Sequence, residues 1–167
     1  MKMKKLMMIA ALMLMCVGAS AQEKGLKCLG AGLAYGIKSD FNKFAIDVKA
    51  QYNVTSYFRG EVDFKFYPKQ DDVTVVNPNL NLQYLFPTGD SEKFFIYPTA
   101  GVGLLICSYG ISGVDNESMF CFQGGAGAEY HFNDKLKFFA EAVYQYGKKN
   151  DAKIDWPVLA LGAAYYF

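Results

Sequence analysis

The sequence predicts an all-β fold: an eight-stranded antiparallel up-and-down transmembrane barrel, preceded by a cleaved signal peptide. Three observations carry this expectation. Apolar and polar residues alternate with a two-residue period along most of the chain, which is the side-chain repeat of a strand and not of a helix. The clearest case spans residues 44–66. Phe44, Ile46, Val48, Ala50 and Tyr52 fall on one parity, with Asp47, Lys49 and Gln51 on the other. After a polar break at 53–56, Phe58, Val62, Phe64 and Phe66 alternate with Arg59, Glu61, Asp63 and Lys65. Second, the apolar parity is nearly free of charge from the first strand to the last. Third, aromatic residues make up 16% of the sequence, with Gly and Tyr frequent, which suits strands at a lipid interface better than a helical bundle.

The 167 residues form one domain on the usual size scale. A formal net charge of +1 gives no electrostatic footprint for a nucleic-acid partner. Residues 1–5 are basic, 6–17 are uniformly apolar, and Ala19-Ser20-Ala21 forms a small-residue cleavage site. Residues 1–21 are therefore expected to be a secretory signal peptide, and 22–167 the barrel domain. The apolar run is shorter than the roughly 20 residues that a spanning helix needs. No later segment qualifies either, so insertion must be by strands. Cys16 follows Met15 rather than a small residue, which argues against lipidation.

Taken in order, a first strand at 25–37 places Leu29, Ala31, Leu33, Tyr35 and Ile37 outside, and Cys28, Gly30, Gly32, Ala34 and Gly36 inside. The second and third strands are those described above. Residues 68–72 read as a polar loop and 75–86 as the fourth strand, with Pro78 near its outer end because a closed ladder wants every backbone donor. Turn residues at 87–93 lead to a fifth strand at 94–107. Residues 108–118 form the longest loop, 119–132 the sixth strand, and Asn133-Asp134-Lys135 a tight turn. A seventh strand at 136–146, a charged loop at 147–155 and an eighth strand at 156–167 complete the chain.

The choice between a soluble and a lipid-facing barrel rests on which parity is charged. Lys43, Asp47, Lys49, Arg59, Glu61, Asp63, Lys65, Glu129, Lys137 and Glu141 share one side, and the other is nearly free of charge. A soluble lipocalin-like barrel or a sandwich would carry its charge on the wet exterior. On the apolar parity, aromatics such as Tyr52, Phe58, Tyr84, Phe86, Tyr130, Phe138 and Tyr165 sit near strand ends, around a middle of Ile46, Val48, Val62, Leu82 and Val102. That arrangement is an aromatic girdle flanking an aliphatic band.

The inward charges form the candidate site: a lumen network of Asp47, Lys49, Arg59, Glu61, Asp63, Lys65, Glu129, Lys137 and Glu141. Its expected role is structural, because a desolvated lumen needs compensating charges. Charge also sets the register of strands two and three, opposing Asp47 to Lys65 and Lys49 to Asp63, since directly opposed like charges are unfavourable. The long charged chains are expected to reach across to a wall lined by Gly30, Gly32, Gly101, Gly103, Gly125, Gly127 and Gly162. Glu129 and Glu141 could act as acid and base only if a substrate entered between them. The lone His131 has no adjacent serine, and one His with scattered Cys gives no zinc spacing. No catalytic residue, cofactor or metal is expected, and the chain reads as a non-enzyme. Were the long hairpin centred on Val114, Cys107 and Cys121 would oppose each other as a possible disulfide, with Cys28 left free. Trp156 fits an anchor at the outer interface.

The whole mature chain resembles the small eight-stranded outer-membrane barrels of the OmpA/OmpX type, a porin-like family of Gram-negative envelopes. The likeness is carried by the signal peptide, the strand lengths and the terminal Tyr165-Tyr166-Phe167. It implies an outer-membrane location, contact with outer-membrane lipids, and an assembly signal at Tyr165 and Phe167 read by the barrel-assembly machinery. It also implies that the termini and the turns near Val54, Thr88 and Asn133 face the periplasm, with the loops near Asp40, Gln70, Val114 and Asn150 outside. The expected function is structural or surface-interacting, through a surface ligand that the sequence does not identify. A narrow porin for ions or very small solutes is the alternative. A lipid-modifying enzyme and a soluble periplasmic barrel stand behind it.

Overall fold

Alternating small or polar and apolar residues produce a ladder of long strands in the computed structural model, which describes residues 25–37, 43–70, 73–88, 93–109, 117–149 and 152–167. The expected signal peptide at 1–21 and the loops expected around Asp40, Val114 and Asn150 lie outside the described residues. The strands are β1 (Lys27–Gly36), β2 (Lys43–Asn53), β3 (Phe58–Gln70), β4 (Val73–Tyr84, resumed at Phe86–Thr88), β5 (Phe94–Tyr109), β6 (Glu117–His131), β7 (Leu136–Lys149) and β8 (Ala152–Tyr166). Each pairs antiparallel with the next, and β8 pairs with β1. The sheet therefore closes, and no strand among the described residues is left as an unpaired edge.

The two faces are the inverse of a soluble protein. Phe44, Leu161 and Leu33 are 67%, 65% and 62% exposed on the outside, whereas Arg59 and Asp47 are fully buried inside. Only a surrounding lipid phase makes such an exterior favourable.

Local chemistry explains the tight end of the barrel. The Thr55 hydroxyl accepts hydrogen bonds from the backbone N–H groups of Tyr57 (3.2 Å) and Phe58 (2.9 Å), closing the β2–β3 turn. The Asn133 side chain does the same for Lys135 (2.9 Å) and Leu136 (2.8 Å), between β6 and β7. Gly25, at φ 93°, donates to the Asn53 carbonyl at 2.9 Å, and Phe167 N–H donates to Lys27 at 3.0 Å. Gly25 and the C-terminal Phe167 are thus both tied to this turn end.

The structure corrects several boundaries. β3 runs on to Gln70 through an irregularity after Tyr67, where a loop was expected. The stretch expected as the longest loop is partly strand, since β5 continues to Tyr109 and β6 begins at Glu117. β7 and β8 likewise take most of 147–155. Alternation stops where lipid stops, but backbone pairing does not need an apolar face and continues beyond it.

Pro78 is also misplaced by the expectation. It lies mid-strand, opposite Phe64, and the β4–β5 ladder skips from Val76–Ile106 to Asn79–Gly103 around it without changing register. The buried Asn77 amide donates to the Leu104 carbonyl at 3.0 Å, supplying near the gap a donor that proline lacks. A second break at Leu85 faces the stretch containing Pro98, after which Phe86–Ile96 resumes the same register. The ladder between β4 and β5 is thus interrupted twice beside a proline, and only the second interruption, at Leu85, splits the strand.

Candidate functional site

All nine residues of the expected lumen network point inward and are buried. The β2–β3 register opposes Asp47 to Lys65 and Lys49 to Asp63, as charge complementarity requires. The ion pairs nevertheless run further than those oppositions. Lys49 crosses to Glu141 of β7 at 2.5 Å, with Asp47 and Glu61 each at 3.5 Å from its ammonium. Lys65 pairs along its own strand with Asp63 at 2.6 Å. Arg59 crosses to Glu129 of β6 through two contacts, Nη1–Oε1 at 3.0 Å and Nη2–Oε2 at 2.8 Å. The Nη1 contact is a charge-assisted hydrogen bond, while Nη2 lies at ion-pair distance without donating one.

The lumen is layered. At the turn end, Glu129 is a hub, receiving Lys137 at 2.9 Å and His131 Nε2 at 3.0 Å besides Arg59. Arg59 lies over the Tyr97 ring at 4.9 Å and Lys137 over Tyr166 at 5.0 Å, so aromatic faces cover what the carboxylate does not. His131 packs between Phe95 and Tyr166.

In the centre, Asp63 accepts from Asn79 (2.8 Å), Asn81 (2.6 Å) and Gln123 (3.3 Å). Glu61 accepts from Gln51 (2.5 Å) and Asn81 (3.0 Å), and Glu141 from the Tyr97 hydroxyl (2.8 Å) and Gln83 (3.3 Å). Gln145 donates to Asn77 and Gln123, and Gln123 donates to Asn81. At the loop end the interior turns apolar, with Tyr67, Val75, Leu105, Val143, Trp156 and Val158 packed together.

Three expectations are corrected here. Trp156 is buried inside the loop-end cluster and is not an interface anchor; it shares the inward parity of Val158. Cys28, Cys107 and Cys121 form no disulfide. Cys107 lies opposite Glu117 and Cys121 opposite Gly103, which moves the hairpin's symmetry point back from Val114 and separates the two sulfurs. Both registers keep the same residues inside, so the hydrophobic pattern could not choose between them.

The glycine wall is the third. Lys49 approaches Gly30, but Gly101 and Gly103 are covered by Asn81 and Asn79, Gly127 by the Tyr97 ring and Gly162 by Phe139. A neighbouring strand's short amide or ring reaches sideways over a glycine more directly than a long charged chain reaches across the barrel. These amides were missed as site residues, although their inward parity was legible. Among the described residues, no group of three His, Cys, Asp or Glu side chains is placed to hold a metal.

The model of the outer membrane protein beta-barrel domain matches residues 7–167. This chain belongs to that family. Its members' location in the outer membrane is this protein's location, and the inverted surface agrees with it. The fold is similar to the N-terminal β-barrel domain of Pseudomonas aeruginosa OprF, at 19% identity and a TM-score of 0.66, covering 86% of this chain and 98% of that one. It is similar to Neisserial surface protein A at 18% identity and a TM-score of 0.65, covering 89% and 98%. Ail, the attachment invasion locus protein of Yersinia pestis, matches at 20% identity and a TM-score of 0.56, covering 86% and 99%. No curated protein matches the sequence.

Proposed function

We propose that this barrel is a structural or surface-interaction protein of the cell envelope, without catalysis, whose lumen is plugged by its own side chains. The observation that supports it most is the pair of crossing ion pairs, Lys49–Glu141 and Arg59–Glu129, which join the β2–β3 wall to the β6–β7 wall through buried groups. An eight-stranded barrel encloses a space that side chains can fill. Breaking such a pair strands a charge at a cost of several kcal/mol, so the network resists opening. Glu129 and Glu141 are each occupied by basic or hydroxyl partners, which leaves neither poised for acid–base work. Vesicles carrying the purified barrel should not swell in isotonic sugar. Swelling at rates typical of a general porin would overturn the plug.

One observation favours a narrow ion path as the alternative. The fully buried Asp47 carboxylate has Lys49 at 3.5 Å but no hydrogen-bond donor on either oxygen. A small, cation-preferring conductance would promote that reading.

In the proposed orientation the chain ends and the short turns face the periplasm, residues 1–21 are removed on export, and Leu33, Phe44 and Leu161 meet lipid. Tyr165 and Phe167 stack edge to face at 5.2 Å, half exposed, where the assembly machinery can read them. Phe167→Ala should lower the amount inserted in cells several-fold, while the purified variant refolds in detergent like wild type. Equal insertion in cells would remove the assembly role.

A further inference from the structure

Among the described residues, two places set basic side chains directly opposite each other across a strand pair. In the lumen His131 opposes Lys137, and Glu129 answers both, at 3.0 and 2.9 Å. On the outside Lys148 of β7 opposes Lys153 of β8. Both are exposed, and neither forms an ion pair with a described residue. Asp155, the next outward residue along β8, accepts the Tyr144 hydroxyl at 2.5 Å. Directly opposed residues stand with Cβ atoms about 5 Å apart, where like charges repel. The fold sets a carboxylate against the inner pair, and among the described residues none forms an ion pair with the outer one.

Depth says what supplies it. The outward face of β7 runs Phe138, Ala140, Ala142, Tyr144, Tyr146, Lys148, with aromatics at both ends and small residues between. Aromatic girdles mark the edges of the apolar band of a membrane barrel. Lys148 is one outward step beyond the upper girdle, and Lys153 stands beside it, at the level of lipid headgroups.

We propose that Lys148 and Lys153 form a two-pronged site for the phosphate of an outer-leaflet lipid. Two ammonium groups a few ångströms apart can donate to different oxygens of one phosphate, which relieves their mutual repulsion and forms charge-assisted hydrogen bonds. The site rests on the proposed orientation, with the loop end outermost.

The barrel is refolded into phosphatidylcholine vesicles containing fluorescent lipid A or its dephosphorylated form, and the lipid retained by the affinity-purified protein is measured. Wild type should retain the phosphorylated lipid preferentially. The K148Q/K153Q variant should lose that preference by roughly thirtyfold, the effect expected of two lysines near an anionic surface. K135Q, a change of an exposed lysine at the turn end, should not. Unchanged retention by K148Q/K153Q would overturn the site. Competition by millimolar inorganic phosphate would overturn the lipid as its occupant. A wild-type chain that fails to insert, seen as the absence of heat-modifiable migration, would instead remove the membrane orientation on which the site depends.

Discussion

Glu129 and Asp63 are equally buried carboxylates of one lumen, yet their surroundings neutralise charge in opposite ways. At the turn end a single carboxylate serves Arg59, Lys137 and His131. In the centre, Asp47, Glu61, Asp63 and Glu141 share Lys49 and Lys65, and the shortage of positive charge is made up by neutral donors from Gln51, Asn79, Asn81, Gln83, Gln123 and Tyr97. A hub with one acid concentrates its energy in one side chain. A region with many acids and many amides spreads it over more side chains.

That difference is open to attack by mutation, with unfolding in urea followed through Trp156, the chain's single tryptophan, buried in the loop-end cluster. Glu129→Gln should have the largest effect, because it strands Arg59 and Lys137 together in a dry interior; a loss of about 3–5 kcal/mol is expected. A loss below about 1 kcal/mol would mean that Glu129 is no hub. Asn81→Ala should rank second. It removes donors from both Glu61 and Asp63, and hydrogen bonds to charged groups of this kind contribute about 2 kcal/mol. Glu61→Gln should be mildest, within about 1 kcal/mol of wild type in either direction, since it removes one of four acids where acids are in excess. Were Glu61→Gln to match Glu129→Gln, the two regions would not differ as described.

Much of the fold was legible because a lipid-embedded strand must alternate. The parity of Phe44 to Phe66 gave the faces, and the opposition of Asp47 to Lys65 fixed a register that alternation alone leaves free. Between β5 and β6 no such charges oppose, so nothing in the sequence distinguished Cys107 facing Cys121 from Cys107 facing Glu117. Trp156 was misjudged by weighing the habit of its residue type above its parity with Val158. The amides of β4 were overlooked because charges draw attention first. Their role depends on Asn79 and Asn81 standing opposite Gly103 and Gly101, a fact of register and not of composition. Pro78 is tolerated mid-strand because the Asn77 side chain supplies a donor beside the gap.

The steady conductance of the wild-type barrel in a planar lipid bilayer tests most directly whether these side chains fill the lumen. With Arg59 and Lys49 locked across it, the protein should insert and stay nearly silent at high salt, and neutralising Arg59 together with Glu61 should raise the current or destabilise the barrel. Large, reproducible wild-type channels that also pass small solutes would contradict a closed lumen and identify a porin.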